Sequence, residues 1–190
     1  MKYFLGIALI VFALVVLGGT FIPVLQQEIN YKLGRYNSPQ EIKQVIPVDT
    51  DFGIMVPKIG ANSHVIKGVD PYNSDIYQIA LTRGVAHAKG SALPGQKGNI
   101  FLFSHSSADF LNAAKYNSIF YLLSKMEKDD DIKLFYEGKE FNYLVQTKQI
   151  VASDAIRFLM YEAEAETLTL MTCWPPGTSL KRLVIQASRI

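Results

Sequence analysis

Two patterns of apolar and polar positions divide the chain. From Tyr3 to Gln27 no side chain is charged, and Phe4–Val24 reads FLGIALIVFALVVLGGTFIPV, about as long as the roughly 20 residues that cross a bilayer core. This run predicts an N-terminal transmembrane helix. A cleaved signal peptide has an apolar core of about 7–15 residues ending in a small-x-small site. Here the run is longer and the small cluster is Gly18-Gly19-Thr20, so the pattern favours an uncleaved signal anchor over residues 1–25. Residues 26–50 are polar, with Asn37-Ser38-Pro39 and Pro47 as breakers. They read as a tether with one or two turns of helix.

From residue 51 to residue 190 the apolar residues recur mostly with period two, in short runs bounded by Gly, Pro, Asn and Asp. That is the signature of a barrel or sandwich. The runs predict strands at Ile54–Ile59, His64–Val69, Asn99–Ser104, Ile132–Tyr136, Glu140–Val151, Thr167–Cys173 and Arg182–Ser188. Glu137-Gly138 separates two of them as a hairpin turn. One helical stretch interrupts the strands. Ile119, Leu122, Leu123 and Met126 fall at i, i+3, i+4 and i+7, with Asn117-Ser118 as the cap. A shorter helix is expected from Ser153-Asp154 through Met160. The fold class is mainly β with a few short helices, an architecture that by itself assigns no activity.

Length and charge narrow the field. At 190 residues the chain holds a membrane segment and one domain with its own core. Nineteen basic and 17 acidic side chains are mixed along it for a net charge of +2, so no basic stripe suggests a nucleic-acid partner. A single cysteine rules out an intramolecular disulfide, and no Cys/His cluster has zinc spacing.

That cysteine is Cys173, at the end of a predicted strand and followed at once by Trp174-Pro175-Pro176-Gly177, which must stop the strand. A free cysteine is often a small buried hydrophobe; a thiol at an exposed strand end is also placed to react. His105 closes another predicted strand inside the run FLFSHSS. It reads either as an acid/base group or as a structural histidine like His64 and His87. Arg182 opens the last strand nine positions after Cys173 (182 − 173 = 9), across a Pro/Gly turn. It is a solvated charge, or, if the two strands are antiparallel neighbours, it faces the thiol. Together the three would form a coherent machine. A thiolate attacks an acyl carbon, an imidazolium protonates the departing amine, and a guanidinium stabilises the charge on the carbonyl oxygen. Positive groups near the sulfur also favour the thiolate.

The segment TLTLMTCWPPGTSLKRLVI (Thr167–Ile185) closely resembles the sortase signature, a strand ending Thr-x-x-Thr-Cys, a loop, then Arg followed by apolar residues. GSALPGQKGNIFLFSHSS (Gly90–Ser107) is similar to the sortase segment that leads into the strand bearing the catalytic His. Weaker matches follow in order through Ile66–His87, Phe120–Tyr136, and Val151 with Asp154. The resemblance implies a closed eight-stranded barrel over residues 51–190, with Cys173 as nucleophile, His105 as acid/base, Arg182 as the oxyanion-stabilising cation and Thr172 as a substrate-side neighbour. It implies cleavage of a C-terminal sorting signal, often Leu-Pro-x-Thr-Gly, and transfer from a Cys173 thioester to an amine of peptidoglycan or of a pilin. It also implies a single-pass membrane protein with its barrel outside the cytoplasm, an orientation that Lys2, Lys32 and Arg35 do not decide. Some members use calcium; no residue pattern here assigns it, and no cofactor is expected.

Two features depart from the family pattern. Ser104 precedes His105 where many sortases have glycine, and the sequence stops at Ile190 without the second membrane helix often seen in pilus-building members, which disfavours pilin polymerisation. The short Cys-to-Arg loop is nevertheless more like theirs, so the class stays open. Rival readings are an L,D-transpeptidase, whose arginine would stand almost adjacent to the cysteine, and a membrane-tethered binding module that kept the barrel without the chemistry.

Overall fold

The computed structural model describes residues 2–35, 46–106, 119–154, 158 and 163–190. It begins with helix α1 (Lys2–Lys32), which contains the expected membrane span and runs on into the expected tether. Counted over the described residues alone, no helix is long and apolar enough to cross a membrane. The last turns of α1 dock on the barrel. Tyr31 packs against the main core, and Lys125 lies 3.5 Å from Glu28 and over the Tyr31 ring. The other end of the tether is laid along the barrel wall. The Asn62 amide accepts from Val48 N–H at 3.0 Å and donates to the Ile46 carbonyl at 2.9 Å, while Asp49 meets His64 Nδ1 at 2.9 Å.

Eight strands follow: β1 (Phe52–Val56), β2 (Ala61–Val69), β3 (Val85–Ala88), β4 (Gly98–Phe103), β5 (Asp131–Tyr136), β6 (Lys139–Ala152), β7 (Glu166–Trp174) and β8 (Lys181–Arg189). They close into a barrel in the order β1-β2-β3-β4-β7-β8-β6-β5, which removes every open edge. The β2/β3 and β4/β7 pairs are parallel and the others antiparallel. A parallel neighbour needs a crossover. Helix α2 (Ser74–Leu81) supplies it between β2 and β3, capped by the Asn73 side chain accepting from Ile76 N–H. The β5–β6 hairpin turns at Glu137 and Gly138, whose φ values of 50° and 75° suit a two-residue turn.

Two sequence expectations change. The first strand ends at Val56, not Ile59, because Pro57 has no N–H and a fixed φ, and Pro57–Ile59 forms a 3-10 turn. The stretch around Leu122 is a 3-10 turn over Tyr121–Lys125 rather than an α-helix. Leu122, Leu123 and Met126 are all buried there, and core packing draws the turn tight, with Leu123 and Met126 N–H donating to carbonyls three residues back. Phe120 stands at its N-terminus, and Asn117-Ser118 lie outside the described residues. The expected helix from Ser153 to Met160 falls largely outside them as well. Neither β3 nor α2 was expected. β3 has four residues, all buried, with no alternation to betray it.

The core has two parts. Ile54, Ile100, Leu102, Leu168, Leu170 and Ile185 help fill the barrel interior. Phe101, Phe103, Val184, Ala80 and Leu81 pack outside the barrel wall, under α2. β4 is therefore covered on both faces, which accounts for its unbroken run Ile100-Phe101-Leu102-Phe103.

Candidate active site

Alternation along the strands decides which side chains meet. In β7, Leu168 and Leu170 enter the barrel, and Met171 packs with the outer cluster. Cys173 therefore continues the outer face. In β8, Leu183 and Ile185 point in and Val184 out, which puts Arg182 outside. β7 and β8 pair antiparallel with Cys173 opposite Arg182. The two side chains thus stand as cross-strand neighbours on one face, at the end of the sheet.

His105 arrives on the same face from the other side. β4 runs parallel to β7 with Phe103 opposite Met171, so two residues further on each strand bring His105 and Cys173 to the same level. The pairing is prolonged past the end of β4. Ser104 N–H donates to the Met171 carbonyl at 3.2 Å, and its own carbonyl accepts from Thr172 Oγ1 at 2.8 Å. Thr172 is only 3% exposed. It borders the cleft with its hydroxyl engaged on the backbone that launches His105.

All four expected residues line one cleft of about 480 Å³. Its floor is the end of β4 and β7. One wall is α2 and its approach, through Pro71, Tyr77, Gln78 and Leu81; the other is the β7–β8 loop, through Gly177, Thr178 and Ser179. Cys173, His105 and Arg182 are each half-buried. Arg182 Nη1 donates to the carbonyls of Ser179 and Lys181, both at 3.1 Å. A thiol with an imidazole on one neighbouring strand and a guanidinium on the other, all lining one cleft, suits acyl transfer.

The Sortase domain family model matches residues 54–190. The chain belongs to the sortase family. A curated relative, sortase D of Bacillus subtilis (strain 168), is 27% identical over 165 residues, covering 83% of this chain and 75% of that protein. The fold is also that of sortase A from Corynebacterium diphtheriae, at TM-score 0.61 and 22% identity over 81% of this chain and 70% of that one. Sortase C2 of Group B Streptococcus pilus island 1 gives TM-score 0.62 and 21% identity, covering 75% of this chain and 76% of that one. The protein is accordingly a cysteine transpeptidase with a mainly β, closed eight-stranded sortase barrel.

The remaining histidines of this sortase serve the fold. His87 is buried in β3; Nδ1 accepts from Gly68 N–H, so Nε2 carries the proton and donates to the Ala92 carbonyl at 2.9 Å. Burial pushes its pKa down despite that carbonyl, and the charge of Lys67 adds to the effect. His64 is spent on Asp49, whose carboxyl is held below its usual range chiefly by that hydrogen bond. Sequence reasoning missed the α2 wall of the sortase cleft. The available signal was Asn73 as a cap, followed by apolar Ile76, Tyr77, Ala80 and Leu81.

Proposed function

We propose that this sortase is held in the membrane by α1, with its barrel outside the cytoplasm, and anchors surface proteins through a Cys173 acyl-enzyme. The observation that carries the reading is the cross-strand placement of Cys173 and Arg182 on the face that His105 also reaches. The Cys173 thiolate attacks the carbonyl of a Leu-Pro-x-Thr-Gly-like sorting signal. Arg182 stabilises the resulting oxyanion, and His105 protonates the departing amine as the thioester forms. An amine from peptidoglycan or a pilin then gives a proton to His105 and attacks the thioester, releasing the product and restoring the thiolate. Thr172 flanks the path of the acyl donor.

Membrane anchoring is supported by the uncharged stretch of α1 and by its bare apolar side chains. Ile7, Ile10, Phe12, Leu14 and Val15 are each more than 60% exposed, and lipid is the solvent that suits such a surface.

The test uses the full chain in detergent with a Leu-Pro-x-Thr-Gly peptide and an amine acceptor, followed by intact mass. The wild type is expected to gain an acyl mass on Cys173 and Cys173→Ala none, while Arg182→Ala slows acylation by about 10²–10³. Normal turnover by Cys173→Ala would end the proposal. Resistance of the protein to alkaline extraction from membranes tests the anchor, and its release as a soluble protein refutes it.

A further inference from the structure

Arg182 has no carboxylate partner among the described residues; main-chain carbonyls hold its guanidinium. The direction in which it points therefore depends on the backbone of the loop that joins β7 to β8. A free arginine side chain has many rotamers, and aiming it at an oxyanion requires something that removes them.

The loop supplies that restraint through a single residue. Thr178 N–H donates to the Pro175 carbonyl at 3.0 Å, and Thr178 Oγ1 donates to the same oxygen at 2.8 Å. Gly177, at φ 82°, lets the chain double back between them. The doubly closed turn fixes the chain up to Ser179, whose carbonyl receives Arg182 Nη1 together with the carbonyl of Lys181. A continuous chain of contacts thus runs from Pro175 through Thr178 and Ser179 to Arg182, which sits opposite Cys173.

We propose that Thr178 is a positioning residue for acyl transfer, closing the β7–β8 turn so that the Ser179 carbonyl aims Arg182 at the carbonyl oxygen of the substrate. The inference rests on the function proposed for Cys173 and Arg182. Thr178 acts through the arginine, so its effect belongs in the chemical step. Its hydroxyl also explains the residue type. Valine has the same shape and leaves only the backbone bond to hold the turn, whereas serine keeps both bonds.

The experiment measures single-turnover thioester formation by intact mass, on full-length protein in detergent with a Leu-Pro-x-Thr-Gly peptide. Thr178→Val is expected to lower the maximal acylation rate about 3- to 10-fold, the worth of one net hydrogen bond. The peptide concentration for half-maximal rate should stay unchanged, and Thr178→Ser should restore the rate to within about twofold. In an Arg182→Ala background, Thr178→Val should cost nothing further, since the group it aims is gone. Thr178 is exposed, so the variants should unfold with the wild type. The proposal is overturned if Thr178→Val acylates at the wild-type rate, if it changes only the half-saturating concentration, or if its loss persists without Arg182. An absence of thioester on the wild type itself would instead remove the functional reading beneath it.

Discussion

Thr172→Val probes the bond that ties the cysteine strand to the histidine strand. The Thr172 hydroxyl is buried and donates to the Ser104 carbonyl at 2.8 Å, while the Ser104 N–H is already given to Met171. Valine fills the same volume with an added methyl but leaves that carbonyl buried without its donor. The cost of such an orphan is about 1–3 kcal/mol, which corresponds to a fall of about 3–10 °C in Tm for a domain of this size. Thr172→Ser keeps the donor and loses one methyl, worth about 1 kcal/mol. Packing alone would rank valine above serine; the hydrogen bond ranks serine above valine. Urea unfolding of the three proteins decides the order, and acylation rates measured in parallel should fall further in the valine variant because His105 is launched from Ser104. A Thr172→Val protein as stable as the wild type, or more stable than Thr172→Ser, would refute the reasoning.

Three further outcomes are expected. Gly84→Ala should lower the urea midpoint by the equivalent of about 1–3 kcal/mol, because a Cβ there would lie 2.4 Å from the His64 backbone oxygen; an unchanged midpoint would show that β2 and β3 can part without cost. Tyr143→Phe should cost about 1–3 kcal/mol of stability and leave acylation untouched. The fully buried Tyr143 hydroxyl donates to Glu166, at the start of β7 and far from Cys173, so altered acylation with intact fold would contradict this. His87 binds its proton less readily folded than unfolded, so its contribution to stability is complete above its ordinary value of 6.5 and is lost as pH falls below it. The urea midpoint should therefore drop from pH 6.5 toward 5 in the wild type and show less of that drop in His87→Gln. Equal slopes in the two proteins would exclude His87 as the cause.

Much of the barrel was legible as period two. The runs around Ile54, His64, Asn99, Ile132, Glu140, Thr167 and Arg182 all became strands, with ends shifted by a few residues. β3 escaped because a four-residue strand buried on both faces has no alternation. The stretch around Leu122 reads as helical, and i, i+3, i+4 spacing does not separate an α-helix from the 3-10 turn found at Tyr121–Lys125; the burial of Leu122 and Leu123 decides the tighter winding.

For the site, the candidate residues are legible in the sequence: one thiol at a strand end, an arginine nine positions on across a Pro/Gly turn, and a histidine at the end of an apolar strand. So is their resemblance to sortases. That they line one cleft follows from the fold. Strand order is nonlocal: β4 lies beside β7, more than 60 residues away in sequence, and their parallel register is what brings His105 level with Cys173. Likewise, Arg182 reads in sequence as a charge beside Lys181, and it becomes a neighbour of the thiol only through the β7–β8 pairing. Local pattern records which face a side chain takes along its own strand; which strand lies alongside is set by closing the barrel around its core, an energy spread over the whole chain.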